Sequence, residues 1–135
     1  MTQYLVAYFG TLVVFLGIDF IWLSFVARKF YFERLGPLLL DQPNLGIAAF
    51  FYLFYVMGIV HLAIIPALKD GNATIAVVNA TVFGLLAYAT YDITNMATLK
   101  GWSWEVVAVD IVWGGVLSAI SAYAGYTITK MILQS

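Results

Sequence analysis

Three carboxylates interrupt the apolar runs of this chain: Asp19, Asp92 and Asp110. Each is followed three positions later by an aromatic or amide residue, in Asp19-Phe-Ile-Trp22, Asp92-Ile-Thr-Asn95 and Asp110-Ile-Val-Trp113. A carboxylate at the centre of a membrane helix costs roughly 2.5–3.5 kcal/mol on insertion scales. A small apolar chain that keeps three of them is expected to use them. Neighbouring carboxylates in a low-dielectric site cannot all be ionised, so either one or two hold protons or a cation sits among them. The first arrangement sets a general acid beside a general base; the second is an ion site. Asn95 would complete either centre with an amide, and Trp22, Trp113, Tyr88 and Tyr91 would line it. Gluing helices together is the plainer role, but interhelical hydrogen bonds average about 0.6 kcal/mol, and Asn, Ser or Thr would supply them without an ionisation cost.

The elements that must position these residues follow from composition. Of 135 residues, 64% are hydrophobic and 10% charged, against about 25% charged in soluble domains. The length suits one integral membrane domain covering residues 1–135. A net charge of −1 offers nothing to nucleic acid, and the absence of cysteine excludes disulfides, thiolate catalysis and cysteine-held metals. The start, Met1-Thr2-Gln3-Tyr4, lacks the basic residues of a signal peptide, and the apolar run behind it is too long for one, so it reads as a retained span. A bacterial inner membrane is the expected location.

Four segments, roughly 4–26, 46–68, 73–99 and 104–133, are long enough to cross about 30 Å of hydrocarbon as helices. The turns Lys69-Asp70-Gly71-Asn72 and Lys100-Gly101 are short, which forces antiparallel neighbours. The expected fold is all-α: a bundle of four transmembrane helices in up-down order. The first connection, residues 27–45, opens with Arg28-Lys29-Phe30-Tyr31-Phe32-Glu33-Arg34 before Gly36-Pro37. It reads as an amphipathic segment at headgroup level, with Arg28, Lys29 and Arg34 placed to hold a lipid phosphate. Arg28, Lys29, Arg34 and Lys100 fall on one side of the membrane, and Lys69 and Lys130 on the other. The positive-inside rule then puts both termini outside.

This topology brings the aspartates to one depth. Asp19 lies seven residues before the end of the first span, Asp92 seven before the end of the third, and Asp110 six after the start of the fourth. At ~1.5 Å per residue, all three sit about 10 Å inside the same face. Helical phase agrees: Thr81, Gly84, Tyr88, Asp92 and Asn95 share one stripe, Asp19 shares a face with Trp22, and Asp110 with Trp113 and Gly114. Trp102, Trp104 and Glu105 cap that end. His61 belongs to the opposite face and reads as a satisfied interfacial residue. Tyr52 and Tyr55 read as packing or lining residues, and Pro66 ends or kinks the second span. Small residues recur every four positions in Gly114, Ser118 and Ala122 and in Ala76, Ala80 and Gly84. Such rows let helices approach closely within a protomer, or form a homodimer seam.

The run Tyr91-Asp-Ile-Thr-Asn-Met-Ala-Thr-Leu-Lys-Gly-Trp102, with Gly17-Ile-Asp-Phe-Ile-Trp22 upstream, resembles a family of small bacterial four-span membrane proteins catalogued only as a domain of unknown function. The resemblance implies four spans and no particular reaction. Paired Asp-x-x-Asp motifs for magnesium diphosphate are missing, and a single histidine cannot make a membrane zinc hydrolase. Three functions stay open. An enzyme would use the aspartates as acid and base on a membrane lipid or other apolar molecule, through a slot open to lipid. A homodimeric transporter would exchange protons or cations for a small molecule. An accessory subunit would keep the aspartates as a structural polar core.

Overall fold

The computed structural model of the protein describes residues 1–39 and 44–133. Helix α1 (Thr2–Ile21) runs on through a π turn, Trp22–Val26, and α2 (Arg28–Leu35) follows, with a 3-10 turn at Gly36–Leu38. Helix α3 (Leu45–Ile59) continues through a second π turn, Val60–Ile64, into α4 (Ile65–Asp70). Helices α5 (Ala73–Thr98) and α6 (Trp104–Leu133) complete the chain. Four stretches are long and apolar enough to cross a membrane: Thr2–Val26, Leu45–Asp70, Ala73–Thr98 and Trp104–Leu133. They match the four expected spans within a few residues. The first connection is helical where its charged and aromatic residues lie and turns at Gly36-Pro37; its residues 40–43 lie outside the described residues.

Side chains written into the sequence start and stop these helices. Asn44 accepts from the Ile47 amide at 3.0 Å and Asn72 from the Thr74 amide at 2.9 Å, each satisfying an amide that the first helical turn leaves open. Ser103 does the same for Val106 at the head of α6. The two tight turns use Gly71 and Gly101 at φ +67° and +77°, a region other residues enter at a cost. Pro66 does not end the second span. Proline has no N–H to offer the carbonyl one turn back; the π turn absorbs the mismatch, and the Leu62 carbonyl accepts instead from Asn79 of α5 at 3.0 Å.

Helix α6 is the spine. It packs along α5 and along α1, while α3 leans on α1. The α5–α6 approach depends on missing side chains: a methyl group on Gly84 would run into the Gly114 carbonyl and the Ser118 hydroxyl, and one on Gly114 into the Tyr88 ring. Gly125 likewise leaves room for Thr11 and Ile64. The interior is thus small and polar at its seams, and large apolar side chains such as Phe9, Val13, Phe54 and Leu86 point outward, as packing in lipid requires. Gly114, Ser118 and Ala122 are buried within the protomer. Packing within the chain uses that row, the first of the two roles that the spacing allowed. Against α5, the second span packs through Val60–Ile64 and α4. Toward Asn44 the two helices part.

Candidate functional site

Where α3 and α5 part, a groove of about 640 Å³ opens. Ile47, Ala48, Phe51 and Tyr52 form one wall, Ala87, Tyr88, Thr90 and Tyr91 the other, with Asn44 at one end and Asp110 contributing from α6. Its size falls in the ~300–1,000 Å³ range of small-molecule sites. This end of the bundle holds all three aspartates. Asp19 is 5% exposed and Asp92 0%, while Asp110 is half-buried.

Asp19 accepts two bonds, from the Tyr52 hydroxyl at 2.5 Å and from Trp113 Nε1 at 3.2 Å. Asp110 accepts from the Tyr31 hydroxyl at 2.8 Å, and Tyr31 in turn accepts from Trp22 Nε1 at 3.3 Å. The two indoles lie face to face, 4.2 Å between centroids and 9° between planes. Each tryptophan therefore supports one aspartate, directly or through a tyrosine, and the stack joins the two arms. Trp22 stands where α1 passes into the π turn, and π turns are frequent at functional sites. Tyr31 reaches the cluster from α2, outside the spans; burial and the adjacent carboxylate hold its phenol firmly protonated, so it stays a donor.

Asp92 differs. Among the described residues neither of its carboxylate oxygens has a hydrogen-bond partner, and Asp110 is its neighbouring carboxyl. The sequence placed Tyr88 and Asn95 one turn to either side as its partners. Instead Asn95 lies within reach of the Tyr91 hydroxyl, which the same helical spacing permits, and the Tyr88 ring packs over Gly114 and edge-on to Tyr55. Asp19 is near enough to feel the Asp110 charge, but its own oxygens are taken. Among the described residues no group of three His, Cys, Asp or Glu side chains is gathered to hold a metal ion.

The basic residues of the first connection do not reach the groove. Arg34 pairs with Glu105 at 3.0 Å and lies over the Phe30 ring. Arg28 and Lys29 border a separate shallow depression with Ser24, Phe25, Phe32 and Glu33. His61, at the opposite end, meets the Tyr4 hydroxyl at 3.1 Å. Sequence reasoning missed Tyr31 and Tyr52 as carboxylate partners. The available signal for Tyr52 was its depth, which matches that of the aspartates; Tyr31, outside the spans, offered none.

The chain belongs to the family described as "Predicted membrane protein (DUF2177)", which matches residues 4–127. No curated protein and no solved structure matches it.

Proposed function

We propose that the groove between α3 and α5 admits an amphiphile from the membrane and that the Asp92–Asp110 pair performs acid/base chemistry on it. The observation that carries this reading is Asp92 itself: fully buried and, among the described residues, without a donor, while the neighbouring Asp110 lines the groove. Two adjacent carboxyls in a low-dielectric site do not both ionise, so the reading gives the pair one proton to share. Asp110 is the member that meets the bound molecule, giving up that proton to a basic atom or taking one from an acidic atom. Asp92 is the store behind it. Tyr31 fixes the Asp110 carboxylate, and Asp19, held by Tyr52 and Trp113, sets the field. A carboxyl kept for helix association alone would be bonded; one left unpartnered costs about 1–3 kcal/mol.

The test pairs Asp92→Asn with Asp110→Asn. Both variants keep shape and remove the titratable proton. The wild-type chain is expected to change membrane lipid composition on expression; both variants are expected to fold, with melting temperatures in detergent equal to or above wild type, and to abolish that change. Normal melting with the lipid change intact would make the aspartates a structural core and favour the accessory-subunit reading. A transporter remains the competing class. It would need a route past Phe15, Val56, Ile59 and Leu117, which fill the bundle beyond the groove.

On the positive-inside rule we assign the acidic end to the cytoplasmic side of a bacterial inner membrane, with both termini outside. Cysteines introduced at Gln3 and Lys29 should label from opposite faces, Gln3 from outside. Equal labelling of each from both faces would mean dual insertion.

A further inference from the structure

We propose that the head of the groove's ligand is a cation, of which a primary alkylammonium is the simplest example. The inference rests on the reading that the groove takes an amphiphile and adds what that amphiphile must carry. Among the described residues the groove has one charged side chain in its lining, the Asp110 carboxylate, and the other polar lining residues are Asn44, Thr90 and three tyrosines. Asp92 and Asp19, both buried at the same end of the bundle, neighbour Asp110 and add to the negative field there. None of the chain's six lysines and arginines lines the groove. The local field is therefore negative, and a phosphate, sulfate or carboxylate head would enter against it without a partner.

A cation meets the opposite conditions. It can sit against Asp110 with the rings of Phe51, Tyr52, Tyr88 and Tyr91 around it, and aromatic faces attract cations more strongly as water is removed. The site lies about 9 Å along α6 from its first residue, below the headgroup layer, where a small ammonium is easier to desolvate than a bulky zwitterion. Ile47 and Ala48 line the groove between this point and the membrane face. Asp92 gives the pocket its second reason to prefer a cation. Its two oxygens have no protein donor, and a positive charge beside Asp110 stabilises both members of the pair.

The experiment is native mass spectrometry of the full chain in a non-ionic detergent, titrated with four probes of equal tail length: dodecylammonium, dodecyltrimethylammonium, dodecyl phosphate and monododecanoylglycerol. We expect one saturable adduct with dodecylammonium, at least tenfold tighter than the neutral glyceride, and no saturable phosphate adduct. Asp110→Asn should bring the ammonium down to the level of the neutral probe while melting normally. Ala48→Trp, which fills the groove from α3 without touching a carboxylate, should abolish the adduct. Equal binding of ammonium and glyceride, both lost in Ala48→Trp, would overturn the cationic head and leave the amphiphile reading standing. Tighter binding of the phosphate would also overturn it. An ammonium adduct that survives Ala48→Trp, or no saturable adduct with any probe, would remove both.

Discussion

Toward Gly71 the helices close on one another through residues with almost no side chain. Ala7, Ala63, Ala76, Ala80 and Ala122 are all fully buried there, and Thr11 fills the gap left by Gly125. Toward α2 the same helices are held by long aromatic and ionisable side chains, and α3 stands away from α5. The closed half is cheap to fold and has no use for a titratable group. The open half keeps a buried carboxyl with no donor and a groove of about 640 Å³, neither of which favours folding. The contrast locates function in the half that packs less well, because a site must leave room and hold reactive groups that a stable core would exclude.

Substitutions graded across the two halves can break or sharpen that contrast. The largest effect belongs to the closed half. Gly125→Val would drive a side chain into Thr11 and Ile64, and overpacking of that kind costs about 3 kcal/mol. The expected outcome is loss of the monodisperse species on size exclusion in detergent. A variant that folds normally would show that the closed half is not tightly packed. Tyr52→Phe, in the open half, removes the donor to Asp19 and should lower stability by about 1.5–3 kcal/mol, as for bonds to charged groups, measurable as a lower melting temperature. It should also weaken function, because Asp19 is released. The smallest effect is expected for Arg34→Ala. The Arg34–Glu105 pair is partly exposed, and such pairs contribute about 0.2–1 kcal/mol. Its melting temperature should move little and its function not at all. A large functional loss there would mean that the α2 connection does more than carry Tyr31.

The spans and the shared depth of the aspartates were legible because both follow from counting residues along helices of fixed rise. Asp19, Asp92 and Asp110 needed no contact information to be placed together. What depth and phase do not determine is which neighbour reaches which oxygen. Tyr31 lies 79 residues from the carboxylate it serves and in a different kind of element. Asn95 and Tyr91 satisfy a four-residue spacing as well as Asn95 and Asp92 satisfy a three-residue one. Pro66 read as ending or kinking a span, because the partner of the carbonyl it leaves free lies on another helix, in Asn79. The groove was least legible of all. It comes from the divergence of two axes, and no local pattern in α3 or α5 encodes the angle between them.

The stacked pair formed by Trp22 and Trp113 has an optical consequence. Two indoles 4.2 Å apart and nearly parallel exchange excitation, and each is hydrogen-bonded, directly or through Tyr31, to a carboxylate of the cluster. Their near-ultraviolet circular dichroism and their emission should therefore depend on how α1 and α6 are seated and on the charge held by Asp19 and Asp110. The protein carries an unlabelled reporter inside its own candidate site, so occupancy and protonation can be followed spectroscopically before any substrate is known.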